Sequence, residues 1–158
     1  MNSEKLKQSI ILEKPFAGWS SITLKDEEGN SFTGGLSYID SVPEVFLGAF
    51  ENEEIYNNCN PMTFTFDEEG SEFYLIVCDY YTLCIEDASE FSVTRVWINK
   101  NDFIVAICNQ LIENIDDWAI WDIFADSQEE IDRIGEENKL LLVPRIGSIL
   151  TTFEGKRL

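Results

Sequence analysis

The chain has 158 residues, 44% apolar and 13% aromatic, which is enough to bury a core and excludes a disordered acidic chain. Thirty acidic residues against eleven basic ones, with no histidine, give a formal net charge of −19, which repels nucleic acid and anionic membrane surfaces. The first residues lack the apolar core of a signal peptide, and no run approaches the roughly 20 apolar residues of a membrane span. We expect a single cytoplasmic globular domain over residues 1–158.

The charge is unevenly distributed along the chain. Between Lys25 and Arg95 there is no basic residue, while positions 26–94 carry sixteen acids. Acidity that served only solubility would not need this asymmetry, whereas complementary charge raises the rate of association with a basic partner.

Alternating apolar residues predict strands in the first part of the chain. Ile22 and Leu24 alternate with polar neighbours, residues 26–30 (DEEGN) read as a turn, and a second alternating run follows. The pattern predicts a β-hairpin. Gly34 and Gly35 in its second strand predict a bulge or a close approach of another chain segment.

Residues 41–57 have the pattern of an amphipathic helix. Ser41 and Glu44 form a capping-box pattern, and Phe46 and Phe50 lie on one apolar face.

Three acids, Glu51, Glu53 and Glu54, lie near the end of this predicted helix. Acids at a helix C-terminus oppose the macrodipole, which indicates that they serve another purpose.

Four further strands are predicted between residues 62 and 99. Residues 62–79 predict two strands around a Glu-Gly turn, and 73–78 (FYLIVC) is apolar on both faces, as in a central strand covered on both sides. Residues 81–87 and 90–99 continue the sheet.

The chain then changes to helical periodicity. Residues 100–118 predict a helix capped by Asn99 or Asn101, and a capping box at 127–130 opens a short helix that ends near Gly135. Pro144 argues against both a central strand and a helix interior, so the structure of residues 138–158 stays open.

This order of elements predicts an α+β fold. We expect a mainly antiparallel sheet of about five to seven strands with two to three helices packed on it.

Composition restricts the chemistry. The absence of histidine excludes Ser–His, Cys–His and His-based metal sites, and no phosphate-binding loop or calcium loop is present, so we expect no cofactor and no metal. Cys78, Cys84 and Cys108 lie in apolar runs and are predicted to be buried, while Cys59 has polar neighbours. The adjacent carboxylates at 68–69, 116–117 and 129–130 could supply an acid and a base, but such pairs arise by chance among thirty acids.

The most acidic stretch is ENIDDWAIWDIFADSQEEID, residues 113–132, with eight acids and no base. Trp118 falls on the apolar stripe of the preceding helix and is predicted to be core. Trp121 lies about 60° from that stripe, at the edge of the core or partly exposed. An exposed aromatic residue among aspartates is what a protein-binding site needs, and it is equally what a helix-to-loop junction on an apolar core shows. The candidate partner-binding residues are Glu51, Glu53, Glu54, Asp116, Asp117, Trp121, Asp122 and Asp126.

A strand with Gly18-Trp19 and Ile22, a second with Ser37-Tyr38-Ile39, an amphipathic helix and then the motif FTFDEE at 64–69 occur in this order. In this order the chain resembles small bacterial α+β proteins similar to immunity proteins of contact-dependent and polymorphic toxin systems. The resemblance spans residues 16–118 and implies a non-enzymatic inhibitor of a cognate toxin inside the cell; it transfers no binding residue.

Three hypotheses follow from the sequence. The first is an acidic inhibitor that occludes the active surface of a basic toxin domain, such as a nuclease. The second is a structural or regulatory domain that binds a partner or ligand and whose acidity serves solubility. The third is a carboxylate-dependent hydrolase. The oligomeric state is left open by the sequence.

Overall fold

Two antiparallel sheets and a layer of helices form the structure, a computed structural model that describes residues 2–56 and 61–156. The strands are β1 Ile10–Leu12, β2 Trp19–Lys25, β3 Ser31–Ser37, β4 Met62–Asp67, β5 Glu72–Val77, β6 Thr82–Asp87 and β7 Phe91–Val96. The helices are α1 Ser3–Ser9, α2 Val42–Tyr56, α3 Lys100–Glu113, α4 Ile115–Trp118 and α5 Gln128–Glu154.

The α+β class is confirmed, but the strands form two sheets rather than one. The first sheet has the order β1-β2-β3 and the second β4-β5-β6-β7. The chain inserts α2 between β3 and β4, so these two strands are not joined as a hairpin. The described chain also has five helices instead of two to three. Helix α1 has only seven residues, too short to give a periodic pattern, and the helix predicted over 100–118 is divided at Asn114 into α3 and α4.

The predicted hairpin is confirmed as β2 and β3, paired in unbroken register from Trp19–Ser37 to Lys25–Ser31. No bulge interrupts this register. Gly34 instead allows β3 to lie close to the ring of Phe73 on β5. A Cβ atom at Gly34 would lie 2.7 Å from the ring of Phe73 on β5. The first sheet therefore packs across the inner face of the second at a glycine.

The inner face of the four-stranded sheet forms the centre of the core. Phe64 and Phe66 on β4 contact Phe46 on α2, with ring centroids 5.2 Å and 5.4 Å apart. Phe103 of α3 joins the same cluster, 5.9 Å from Phe64. The helices thus cover one face of this sheet, and the apolar pattern of residues 62–66 explains why.

Strand β5 lies inside its sheet, between β4 and β6, as predicted. The prediction that both its faces are covered is wrong. Phe73, Leu75 and Val77 are buried, whereas Tyr74 and Ile76 on the opposite face are partly exposed. The apolar character of this second face is therefore not explained by the core.

Helix α5 extends much further than the sequence predicts. It continues through Gly135 and Pro144 to Glu154. At Gly135 a Cβ atom would lie 2.8 Å from Ile120, so glycine permits close packing instead of ending the helix. Leu142, Ile146 and Ile149 are buried at helical spacing, and this burial offsets the hydrogen bond missing at proline.

Asp26, in the turn between β2 and β3, joins the two sheets. Its carboxylate accepts hydrogen bonds from the backbone N–H of Trp97 at 2.9 Å, from the side-chain amide of Asn30 at 2.8 Å, and from two backbone N–H groups of its own turn. Burial alone raises the pKa of Asp26, but these hydrogen bonds outweigh it and lower the pKa below its ordinary value of 3.8.

We expect Gly34→Ala to lower the free energy of unfolding by about 1–3 kcal/mol, because a methyl group cannot fit against the Phe73 ring without a shift of both sheets. Urea denaturation measures the change. Gly48→Ala in α2 is the control, since a Cβ there meets nothing within 4 Å. It should be neutral or stabilising by up to about 1 kcal/mol. Equal stability of the two variants would contradict the close packing at Gly34.

We expect the stability difference between the wild type and Asp26→Asn to depend on pH. Because the folded pKa of Asp26 is depressed, its ionised form contributes stability that is fully present above the ordinary value of 3.8 and is lost as pH falls through the folded pKa. Urea denaturation at neutral pH should show Asp26→Asn as the less stable protein, and the gap should narrow below pH 3.8. A constant gap would show that the charge of Asp26 plays no part.

Candidate functional site

Exposed aromatic residues from two separate segments meet around a cavity of about 380 Å³. We name it the aromatic groove. Its lining residues are Pro15, Phe16, Ala17, Gly18, Asp117, Ile120, Trp121, Ile123 and Phe124. Phe16 is 84% exposed and Phe124 77% exposed, values unusual for large apolar side chains that are meant only for the core.

One wall of the groove is a tight turn before β2. Phe16 and Trp19 exchange two backbone hydrogen bonds of 2.9 Å and 3.0 Å across Ala17 and Gly18. Both central residues have left-handed backbone angles, φ 51° and φ 80°, as in the favoured two-residue hairpin turn. Alanine is uncommon in this conformation, and its presence indicates local strain held by the surrounding structure. Phe16 directly precedes the two central residues of this turn.

The opposite wall is the segment that follows α4. Phe124 packs edge-on against Tyr38, with ring centroids 5.1 Å apart, and Tyr38 in turn lies against Gly18. The sequence motifs GW at 18–19, SYI at 37–39 and the acidic stretch after residue 113 therefore meet at one surface, although the first and last are about a hundred residues apart.

Trp121 forms the floor of the groove. It is only 5% exposed, its ring lies 5.0 Å from that of Trp118, and its indole N–H donates to the backbone carbonyl of Asp40 at 3.3 Å. The sequence left open whether Trp121 lies at the edge of the core or is partly exposed, and the structure places it at the edge of the core. Trp118 is 2% exposed, which confirms it as core. The exposed aromatic residues of the site are Phe16 and Phe124 instead.

The aspartates of the acidic stretch differ in their pairing. The Asp116 carboxylate accepts a hydrogen bond of 2.8 Å from the ammonium group of Lys139 on α5. The Asp117 carboxylate lies 3.4 Å from the ammonium group of Lys14. Asp122 and Asp126 are exposed and have no ion-pair partner in the described part of the chain. Only these two provide uncompensated negative charge close in sequence to Phe124.

Glu51 pairs with Arg145 of α5, which also binds Glu44. The guanidinium group donates to Glu51 at 2.6 Å through one terminal nitrogen and to Glu44 at 2.6 Å through the other. The hydrogen bonds to Glu51 and, as the next largest cause, to Glu44 raise the pKa of Arg145 above its ordinary value. Glu51 is therefore part of the contact between α2 and α5.

Glu53 is buried and forms an ion pair inside the protein. The ammonium group of Lys100 lies 2.9 Å from Glu53 and 3.2 Å from Asp79, and Lys100 and Glu53 are 5% and 9% exposed. Burial alone lowers the pKa of Lys100, but the hydrogen bonds to Glu53 and Asp79 outweigh burial and raise it. The Glu53 carboxylate is therefore bound inside the protein.

Glu54 accepts a hydrogen bond of 2.6 Å from the hydroxyl group of Thr152 near the end of α5. The three acids at the end of α2 thus have intramolecular contacts that account for their position against the helix dipole. The structure brings Asp117 and Trp121 together at the aromatic groove and places Glu51, Glu53 and Glu54 in contacts between elements.

A second exposed apolar surface lies on the face of the four-stranded sheet opposite the core. We name it the outer sheet face. Its residues are Tyr74, Ile76, Leu83, Ile85, Phe91, Val93 and Arg95. Phe91 is 68% and Val93 56% exposed. The signal was present in the sequence, because β5 and β7 carry apolar residues at alternate positions that the core does not use.

The cysteines of the described chain are free thiols. Cys84 and Cys108 are buried as predicted, whereas Cys78 is partly exposed, and Cys59 lies outside the described residues. Burial raises the pKa of both Cys84 and Cys108 to about 12, with a smaller contribution from Glu154 at Cys108, so both stay protonated at neutral pH.

Comparison of the chain with protein-family models, with curated proteins and with solved structures finds no match. Within residues 2–56 and 61–156, no helix combines the length and apolar character needed to cross a membrane. In the same residues no three acidic or cysteine side chains are grouped so that they could hold a metal ion.

We expect Glu53→Gln to lower the free energy of unfolding by up to about 3 kcal/mol, because it removes the carboxylate charge that lies 2.9 Å from the buried Lys100 ammonium group. Asp126→Asn removes an exposed, unpaired acid and should change stability by less than about 0.5 kcal/mol. Urea denaturation of both variants distinguishes an acid that stabilises the fold from one that is free to bind. Equal effects would contradict this division.

Proposed function

We propose that the protein is an acidic, non-enzymatic inhibitor that binds a basic protein partner, in the manner of an immunity protein that neutralises a cognate toxin. One observation supports this above the others: exposed aromatic residues converge at the aromatic groove, and Asp122 and Asp126, exposed and without an ion-pair partner in the described chain, are each two residues from Phe124 in sequence. Binding sites between proteins concentrate their free energy in such aromatic side chains, and charged groups around them set partner choice.

The groove has the shape and rigidity that tight binding requires. Phe16 is fixed by a two-residue turn with paired backbone groups, and Phe124 is held against Tyr38. Because the backbone at Phe16 and the ring of Phe124 are already held in place, a partner that covers them loses less conformational entropy on binding. The groove therefore supports a protein partner whose apolar side chain inserts between the two phenylalanine rings.

The charge of the surrounding protein favours a basic partner. Residues 62–96, the four-stranded sheet, contain eight acids and the single base Arg95, a net charge of −7. Exposed charges act over about 8 Å at physiological salt, so a surface with little neutralisation attracts cations at close range. A nuclease domain, which carries basic side chains for its nucleic-acid substrate, has the matching charge.

The alternative is a structural or regulatory domain whose acidity serves solubility and folding. The observation in its favour is that Glu51, Glu53 and Asp116 are neutralised by bases of the same chain. A hydrolase receives less support, because the neighbouring carboxylates of Asp116 and Asp117 bind lysines of different elements rather than converging in a cleft.

We expect the partner, captured from the native host with the wild-type chain as bait and then purified, to be basic. Its association rate should fall by about tenfold or more as salt rises from about 50 mM to about 500 mM, because screening removes the attraction. A neutral or acidic partner, or a rate insensitive to salt, would contradict the proposal.

Variants assign this binding to the groove. Phe124→Ala should increase the dissociation rate by about tenfold or more, and Asp122→Asn should mainly lower the association rate, by about twofold. The matched controls are Leu140→Ala, which removes a 75% exposed side chain of α5, and Glu4→Gln, which removes an exposed charge of α1. Both should bind as the wild type does. Wild-type binding by Phe124→Ala would place the interface elsewhere.

A further inference from the structure

The two sheets have four edge strands, β1, β3, β4 and β7. The N–H and C=O groups on the open side of an edge strand need other hydrogen-bond partners, and an edge without them can pair with a further strand. The four edges of this protein differ in how they meet this need.

The edge of β1 is covered by a side chain of α3. Gln110 accepts from the N–H of Leu12 at 2.7 Å and donates to the carbonyl of Ile10 at 2.8 Å. Its buried amide thus pairs with β1 as a neighbouring strand would, and this edge is closed.

The edge strands β3 and β4 form hydrogen bonds with residues next to each other: β3 with the turn after β4, and β4 with residues at and after the end of β3. On β3 the N–H of Gly35 donates to the carboxylate of Glu68 at 2.9 Å. On β4 the N–H of Asp67 donates to Asp40 at 2.8 Å, and its carbonyl accepts from the hydroxyl group of Ser37 at 3.1 Å. Each of these two edges therefore has at least one backbone group bonded to another part of the protein.

Strand β7 differs from the other three. Apart from its pairing with β6, no residue from 91 to 95 forms a hydrogen bond with another element of the described chain. The strand contains no proline, lysine or bulge, which are the devices that protect edge strands from further pairing. Arg95 is its one charged residue, and its guanidinium group lies over the ring of Trp97, 4.4 Å from the centroid.

The side chains of β7 extend this open edge onto the outer sheet face. Phe91 and Val93 point to the same side as Ile85 and Leu83 of the neighbouring strand and are more than half exposed. An added strand would therefore gain both backbone hydrogen bonds and apolar contacts, the two components of peptide binding by strand addition.

The charges around β7 determine which kind of added strand would bind beside it. Glu90 and Asp87 lie at the Phe91 end, and Asp26 and Glu28 accept hydrogen bonds from Trp97 at the other end. A second copy of the chain, with its net charge of −19, would be repelled, whereas a segment with lysine or arginine would find acids at both ends.

We propose that the free edge of β7 binds an extended, basic segment of a protein partner as a fifth strand of the four-stranded sheet. The inference rests on the proposed function only for the basic character of the partner and does not involve the aromatic groove.

The test uses the whole chain and a synthetic peptide, acetyl-Lys-Val-Lys-Val-Lys-Val-Lys-amide. Its valines would extend the outer sheet face and its backbone would pair with β7. Titration followed by NMR should shift amide signals of residues 91–96 and slow their hydrogen exchange. The same peptide, N-methylated at the alternate residues whose N–H groups would face β7, lacks the donors for this pairing, and a version with glutamate in place of lysine reverses the charge. Each should bind at least ~tenfold more weakly.

A pair of variants locates the edge. Val93 and Thr65 lie in the same row across the sheet, Thr65–Tyr74–Ile85–Val93, at its opposite edges. Both are exposed, so Val93→Lys and Thr65→Lys add the same charge to the same face. Val93→Lys should weaken peptide binding at least ~tenfold, and Thr65→Lys less than ~twofold, because only the first places a charge beside the added strand.

Three results would overturn the inference: no peptide binding at millimolar concentration, equal binding of the N-methylated peptide, or signal changes confined to residues outside 91–96. Sedimentation showing a dimer of the free chain that Val93→Lys dissociates would also overturn it, since a second copy would then occupy the edge. Failure with the peptides would leave the salt-dependent binding at the aromatic groove intact, so the two proposals fail separately.

Discussion

The buried ammonium group of Lys100 is the interaction on which the arrangement of the layers depends. It follows β7 at the start of α3 and binds Glu53 of α2 and Asp79 of the turn after β5. One cation thus joins the helix layer to the four-stranded sheet. In a chain with only eleven bases, a buried lysine with two carboxylates fixes which elements must meet, because a buried charge without a partner costs several kcal/mol, on the order of 3–5.

The other bases act in the same way at the surface of the helix layer. Arg145 and Lys139 of α5 bind acids of α2 and α4, so the long helix collects negative charge from both of its neighbours. The bases are therefore concentrated among the helices, while the four-stranded sheet has Arg95 alone. The remaining imbalance appears on the sheet and around the loop with Asp122 and Asp126, and both of these surfaces also expose apolar side chains.

Local patterns were sufficient to predict strands β2 to β7 and helices α2 and α3, since alternation and capping act between residues close in sequence, but they did not predict β1, which has three residues. They were insufficient for α5, whose Gly135 and Pro144 contradict a helix locally and are tolerated only because of Ile120 and the core residues around Ile146. They were also insufficient for the candidate acids. Whether Glu51 faces solvent or an arginine depends on Arg145, which is 94 positions away, and one sequence does not reveal that pairing.

Some acids of this protein are paired with bases and others are not, and this difference bears on whether its acidity serves solubility or recognition. Total charge alone does not distinguish solubility from recognition, because both benefit from many carboxylates. Location does distinguish them. A soluble monomer gains nothing from placing exposed Phe16, Phe124, Phe91 and Val93 beside carboxylates without bases, since exposed apolar groups favour aggregation. The same placement is favourable when a partner covers the apolar groups and supplies the missing cations. The combination at both surfaces therefore supports recognition of a basic protein more strongly than the charge alone does.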